Sequence, residues 1–212
     1  MKFTEEQISA LREKISASMS PKRFNHTKEV EIMAEKIGRI YAPQKTDVLR
    51  AAALLHDITK EFSTEMQLDI CREYGIIITK QDILTPKTLH AKTAALLIPA
   101  LYSEFDDGEV ISAVRWHTTG HENMSLLEKI VYLADYIDGS RKFEDCVRLR
   151  SFFWDAQPEK MSIEEREAHL TRTLIASFDM TLGSLIARGA TVSEDTFRAR
   201  NWLILSLCGE VN

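Results

Sequence analysis

Apolar residues recur every three to four positions through most of the chain. Between positions 24 and 40, Phe24, Val30, Met33, Ile37 and Ile40 fall on one side, while Lys28, Glu31, Glu35 and Lys36 fall on the other. That is the pattern of an amphipathic helix facing a core. The same periodicity predicts helices near 4–18, 22–41, 46–58, 63–74, 88–98, 107–118, 125–138, 162–188 and 193–207. Thr4 with Gln7, Ser125 with Glu128, and Ser162 with Glu165 match the capping box, and Ser20-Pro21 offers a cap followed by proline in the first turn. Gly75, Gly139, Gly189 and Gly209 are the expected C-terminal stops. Pro86 should separate two helices, and Pro99 should end or kink the helix over 88–98. Ile76-Ile77-Ile78 is the only strand-like run, and one isolated strand makes no sheet. The expected fold class is all-α.

At 212 residues the chain fits one domain, and no low-complexity linker or internal repeat divides it. The expectation is a single domain over 1–212, with the helices of about 20–140 carrying the candidate chemistry and those of about 141–207 packing on them. The formal net charge of −5 comes without any dense lysine and arginine run, so nucleic acid is not expected as a partner. The longest apolar runs, such as AAALL at 51–55, are too short for a bilayer. The polar N-terminus lacks a secretory signature, which makes the cytoplasm the expected location. Cys71, Cys146 and Cys208 are scattered singly and are expected to be small buried residues.

Candidate chemistry begins at His56-Asp57, which ends the apolar segment VLRAAALL. His56 shares a helical face with Leu49 and Ala52 or Ala53, so its imidazole points inward. A His-Asp dipeptide alone is most simply a hydrogen-bonded pair near a helix end. The ordered series around it changes that weighing: RFNHT at 23–27, LLHDITK at 54–60, His90, WHTTGH at 116–121 and LADYID at 133–138. His26 precedes Val30, Met33 and Ile37 on an apolar face. Asp135 falls one turn after Val131 in a strongly apolar helix, where a buried carboxylate costs several kcal/mol unless a cation or donors compensate. Histidines with carboxylates suit zinc, iron, manganese or cobalt better than magnesium or calcium. His90 and His117 would supply a second ion about 3.5–4 Å from the first, the separation used in two-metal phosphoryl chemistry.

Other architectures fail on spacing. The chain has no paired Glu-x-x-His, no His-Glu-x-x-His, no phosphate-binding Gly-x-x-x-x-Gly-Lys loop, no Gly-x-Gly-x-x-Gly fingerprint and no Gly-x-Ser-x-Gly elbow.

The series resembles the HD-domain superfamily of metal-dependent phosphohydrolases, helical bundles in which a histidine, a His-Asp pair and a later aspartate bind metal. RFNHT, LLHDITK, RWHTTG, MSLLEKIVYLADYID and the late ARN at 199–201 are similar to the YqeK-like branch, the bacterial symmetrical dinucleoside-tetraphosphate hydrolases, over roughly residues 20–205. The resemblance implies an HD-type helical bundle that cleaves diadenosine tetraphosphate into two ADP by a metal-activated hydroxide, with iron at a one- or two-metal site. It implies that His26, His56, Asp57 and Asp135 hold one ion and Asp57, His90 and His117 the other, with Asp57 bridging. The stretch GHENMS at 120–125 departs from the family's usual arginine, proline and glycine, which leaves His121 without an implied role.

Around that site, Lys60 lies one helical turn beyond His56 and Asp57 and would neutralise phosphate charge. Thr118 and Thr119 offer donors to phosphate or simply end a helix. Arg141 can fork onto a diphosphate. Arg200 and Asn201 can contribute from the last helix, although exterior ion pairing suits Arg200 as well. Asp57, Lys60, His90 and His117 are the expected catalytic set. The alternatives are an HD-type hydrolase of another nucleotide, an ADP-binding metalloprotein without turnover, and a metal-supported scaffold. A homodimer is left open.

Overall fold

A computed structural model describes residues 2–209, which contain eleven α-helices and no strand. They are α1 (Glu5–Ser18), α2 (Pro21–Tyr41), α3 (Thr46–Leu55), α4 (Thr64–Glu73), α5 (Lys80–Leu84), α6 (Leu89–Leu101), α7 (Gly108–Trp116), α8 (Leu126–Ile137), α9 (Glu144–Asp155), α10 (Ile163–Ala187) and α11 (Glu194–Cys208). The all-α expectation holds. All three capping boxes form, a fourth closes between Thr79 and Asp82, and Ser20 caps α2 with Pro21 in its first turn.

The bundle is organised around α3, whose residues from Asp47 to Leu55 are all buried. It packs against α1, α2, α7 and α8. Small side chains permit that density: Ala51, Ala52 and Ala53 face successive neighbours, and Gly38 on α2 leaves room for Leu49. A Cβ on Gly38 would come within 2.5 Å of Leu49 Cδ1. Glu31 of α2, buried, joins the three N-terminal helices, accepting from Arg12 of α1 at 2.6 Å and from Arg50 of α3 at 3.0 Å. Buried charge is tolerated here because each partner is satisfied. One apolar cluster runs from Phe3 to Leu203 and includes side chains from α8, α9, α10 and α11.

Several boundaries differ from the sequence expectation. The helix expected over 46–58 stops at Leu55, and His56 to Lys60 form successive turns. Thr59 accounts for the break, because its hydroxyl donates to His90 O at 2.9 Å and draws this segment onto α6. The helix carrying His90 continues to Leu101, past Pro99. That proline sits in the last turn, which Tyr102 N still closes by donating to Ile98 O at 2.8 Å. Gly139 does not adopt the left-handed conformation of Gly75, Gly189 and Gly209; the chain leaves α8 at Asp138 in an extended turn. Two helices, α5 and α9, were not expected. In α9 only Cys146, Leu149 and Phe153 are buried among charged neighbours, a stripe too thin to stand out. Cys71 and Cys146 are buried as expected, whereas Cys208 is exposed at the end of α11.

Candidate metal centre

Five helices deliver polar groups to one interior point. α2 brings Arg23 and His26; the turn after α3 brings His56, Asp57 and Lys60; α6 begins with His90; the end of α7 brings His117 and Thr118; α8 brings Asp135. His56, Asp57, His90 and His117 are almost wholly buried.

Asp57 lies at the centre and faces two ways. Its Oδ2 is 3.4 Å from His56 Nε2 and 3.8 Å from His26 Nε2. Its Oδ1 is 3.3 Å from His90 Nε2 and 3.8 Å from His117 Nε2. Asp135 Oδ1 lies 3.0 Å from His26 Nε2 and 3.9 Å from His56 Nε2. Two overlapping ligand groups result, one of His26, His56 and Asp57 and one of Asp57, His90 and His117, with Asp135 completing the first. All six residues expected as ligands are thus brought together.

The outer nitrogens fix how the rings present themselves. His56 Nδ1 is 2.6 Å from Ala53 O, His90 Nδ1 is 2.9 Å from Lys87 O, and His117 Nδ1 is 2.7 Å from Val114 O. A carbonyl only accepts, so each Nδ1 carries the proton and each Nε2 offers a lone pair to the interior. His26 Nδ1 meets Ser140 Oγ at 3.2 Å and Asp138 Oδ2 at 3.4 Å, which hold the ring with Nε2 toward the interior. Backbone carbonyls and carboxylates behind the imidazoles are the usual support of metal-ligating histidines.

The inner atoms lack partners that a protein alone provides. His26 Nε2, His56 Nε2 and Asp57 Oδ1 are buried without a hydrogen bond. The two lone-pair nitrogens of His90 and His117 stand 3.0 Å apart. Lone pairs and carboxylates gathered out of water repel unless a cation lies among them. The donor set, nitrogen and carboxylate oxygen, is that of a divalent transition metal. The residues therefore fit a metal.

Electrostatics favour the ligand-ready charge states of His90, His117, Asp57 and Asp135. Burial, then the Lys60 ammonium, pushes the His90 imidazole well below its usual range, and burial lowers His117 likewise. Burial would raise Asp57 and Asp135, but it is outweighed by the surrounding histidines and the Lys60 ammonium at the first and by the Arg141 guanidinium at the second, so both stay well below the carboxylate range. Burial lowers Lys60 against the pull of Asp57 and Asp135.

Cations and hydroxyls surround the cluster. Lys60 Nζ is 3.0 Å from His90 Nε2 and 3.8 Å from Asp57 Oδ1, so the turn brings it to the site without a continuing helix. Thr118 Oγ1 lies 3.0 Å from the Nε2 of both His90 and His117. Thr119 is turned away and donates to Gly120 O. Arg141 binds Asp135 Oδ1 at 2.6 Å. Arg200 instead pairs with Asp179 and Asn201 is exposed, and neither hydrogen-bonds to the cluster among the described residues. His121 lies tilted against Trp116 and bonds Glu128 at 3.0 Å, away from the cluster.

Four supporting residues were missed by the sequence reading. Arg23 Nη1 donates to Asp57 Oδ2 at 2.6 Å; it lies three residues before His26, on the same helical face, which is the signal that was available. Asp138, three residues after Asp135, and Ser140 stand behind His26. Arg150 of α9 donates to Ile137 O at 2.7 Å and Arg141 O at 2.9 Å, pinning the loop that carries Arg141. Nothing local in the sequence marks Arg150.

Residues 23–140 match the HD domain family, over the stretch that contains every ligand candidate. The chain belongs to the HD domain family. This HD protein is 29% identical over 195 residues to the "Bis(5'-nucleosyl)-tetraphosphatase, symmetrical" of Halalkalibacterium halodurans, covering 90% of this chain and 94% of that one. It is 28% identical over 191 residues to the protein of the same name in Bacillus subtilis, with the same coverage. In three dimensions it superposes with a TM-score of 0.81 on an HD superfamily hydrolase from Clostridium acetobutylicum described as involved in NAD metabolism, at 31% identity over 96% of this chain and 98% of the other.

Two spaces open beside the HD cluster. On the Thr118 side, a pocket of about 370 Å³ is lined by threonines, Leu84, Pro86, Leu185, Lys87 and Arg188. On the His26 side, a groove of about 630 Å³ is lined by Lys22, Arg23, Arg141, Lys142 and Phe143.

Proposed function

We propose that this protein hydrolyses diadenosine tetraphosphate and related dinucleoside polyphosphates symmetrically, giving two nucleoside diphosphates. The observation that carries the reading is the two-faced ligand cluster with a space on each side, in a chain similar along nearly its whole length to proteins named for that activity. His26, His56, Asp57 and Asp135 would hold one divalent ion and Asp57, His90 and His117 another, with iron first among the metals and manganese, cobalt or zinc compatible with the same donors. Bound metal of this kind lowers the pKa of nearby water and stabilises charge on phosphoryl oxygens.

Symmetrical cleavage forms a bond from a water oxygen to one inner phosphorus and breaks that phosphorus's bond to the oxygen bridging the two inner phosphates. The bridging oxygen leaves with the second diphosphate and the water's proton goes to solvent. The chain's own residues have distinct parts in this. Lys60, beside His90, brings an ammonium to the charge on the departing diphosphate. Thr118 offers a hydroxyl at the His90–His117 end, and Arg141 and Arg23, paired with Asp135 and Asp57, offer their remaining N–H groups to phosphate oxygens. A tetraphosphate lying across the cluster has its midpoint there and one nucleoside toward each space, the arrangement that makes the central anhydride the reacting bond.

A second reading, hydrolysis of another nucleotide, draws on the Clostridium relative's described link to NAD metabolism. Anaerobic incubation of the purified protein with diadenosine tetraphosphate, in ferrous iron, manganese or chelator, separates the two. ADP as the only metal-dependent product supports symmetrical hydrolysis. AMP with ATP rejects the cleavage position, and absence of turnover with either metal moves the second reading ahead.

A further inference from the structure

The groove on the His26 side differs from the Thr118 pocket in chemistry. Its lining includes four basic side chains, Lys22, Arg23, Arg141 and Lys142, and no carboxylate. Arg23 and Arg141 are tied to Asp57 and Asp135 at the inner end. Farther out, Lys22 has no ion-pair or hydrogen-bond partner among the described residues, and Lys142 reaches only the carbonyl of Gly139 at 3.1 Å. At the rim stands Phe143, 73% exposed, immediately before α9. Its ring offers a flat apolar face to a planar ligand.

The order from interior to rim is therefore metal ligands, paired arginines, free lysines, exposed aromatic ring. A nucleoside diphosphate has the same order from its terminal phosphate: dense charge first, then sugar, then a flat base. The Thr118 pocket, by contrast, has two basic side chains, Lys87 and Arg188, set among many threonines and apolar residues. Resting on the dinucleoside reading above, we propose that the cationic groove is the subsite for one nucleoside diphosphate half of the substrate, with Phe143 stacking its base and Lys22 and Lys142 meeting its phosphates.

Every base has a π-face, so stacking on a phenylalanine ring tolerates base identity. The stack itself therefore does not select the base, and mixed dinucleotides carrying adenosine and a different nucleoside are expected to be substrates alongside the diadenosine compound.

The test compares wild type, Phe143→Ala, Phe143→Tyr and a Lys22→Ala/Lys142→Ala double variant, with Phe152→Ala as a control for loss of an exposed ring elsewhere on α9. Each is measured for metal content, for KM and kcat on diadenosine tetraphosphate and a mixed adenosine–guanosine tetraphosphate, and for affinity toward ADP and inorganic pyrophosphate. Phe143→Ala should raise KM for both dinucleotides roughly five- to tenfold, the low end of what one base–aromatic stack contributes. It should weaken ADP binding by a similar factor and leave pyrophosphate and metal content alone. Phe143→Tyr should restore wild-type KM, and the lysine double variant should weaken pyrophosphate as well as ADP. Unchanged KM and ADP affinity in Phe143→Ala, with wild type active, would overturn the subsite and leave the proposed reaction intact. An ADP loss confined to Phe143→Ala, in a protein that cleaves no dinucleotide, would keep the subsite and overturn the reaction. If wild type neither cleaves nor binds either probe, both fall.

Discussion

His90 Nε2 and His117 Nε2 approach to 3.0 Å while both Nδ1 atoms are engaged by carbonyls one turn back, so two lone pairs are crowded together beside the Lys60 ammonium and the Thr118 hydroxyl. Such a contact is unfavourable in the bare protein and becomes favourable around a shared cation. Metal should therefore stabilise the fold. At free metal one hundred times its dissociation constant the gain is roughly 2.7 kcal/mol. Differential scanning calorimetry with and without chelator reads this directly, and equal Tm values would refute it. Replacing His117 by alanine should also reduce bound metal from two ions to one, measured by elemental analysis.

Asp57 divides its oxygens between the two ligand groups, Oδ2 toward His26 and His56 and Oδ1 toward His90 and His117. Asp57→Ala should consequently empty both positions, where loss of a histidine empties one. It also strands Arg23, whose ion pair with Asp57 is lost. Breaking a buried pair from one side typically costs about 3–5 kcal/mol, a figure to be reduced here because Arg23 is partly exposed. An Asp57→Ala protein that kept metal and turnover would remove the central assignment.

The helices were legible wherever an apolar stripe was wide and its start was marked by a capping side chain, as at Thr4, Ser20, Ser125 and Ser162. Helix α9 was not, because its three buried residues are diluted by arginines and its first residue is preceded by Phe143, which provides no side-chain cap. Likewise, the candidate ligands could be picked out because histidines and aspartates recur in an ordered series on apolar faces, and the structure gathers them in one cluster. What could not be read was the support behind them. Arg150 acts on Asp138 and Arg141 from another helix, and Ser140 acts on His26 across 114 positions of sequence. Such contacts depend on tertiary packing, which local periodicity does not encode. The end of α3 was misjudged for the same reason: the tertiary bond from Thr59 to His90 O competes with helix continuation.

Asp138 is wholly buried and has its carboxylate on His26 Nδ1 and Ser140. Its predicted part is to hold the tautomer and direction of the His26 ring. Asp138→Asn should weaken metal binding about 10–100-fold, the usual cost of removing a carboxylate behind a ligating histidine. Activity should return at saturating metal, which distinguishes a positioning residue from a ligand. Metal titrations of wild type and variant decide the point, and an unaltered affinity would dismiss the role.

Gly120 ends the His117-Thr118-Thr119 segment with φ +62°, and a Cβ there would come within 2.8 Å of Phe178 Cζ and 3.0 Å of Ala199 Cβ. Both the backbone and the space demand glycine. Gly120→Ala should cost roughly 1–3 kcal/mol through left-handed strain and overpacking. Urea denaturation measures that loss. Because the displaced turn carries Thr118, turnover should fall as well; unchanged stability would show that the contact relaxes freely.

Protonation and metal compete for His26. Burial opposes its imidazolium, but the Asp135 and Asp138 carboxylates close to its two ring nitrogens outweigh burial and raise the pKa from 6.5 to about 9 in metal-free protein. A folded pKa above the unfolded value means that the charged group contributes stability in full below pH 6.5, and that this contribution is lost as pH rises through about 9. The apoprotein should therefore melt at progressively lower temperature across that window. With metal bound the imidazole is a neutral ligand, and raising the pH removes the competing proton, so affinity for metal should increase over the same range. Melting curves of chelated and metal-loaded protein between pH 6 and pH 9.5 should diverge upward, the gap widening with pH. Parallel curves would mean that His26 does not exchange a proton for the ion, and the ligand set would then lack His26.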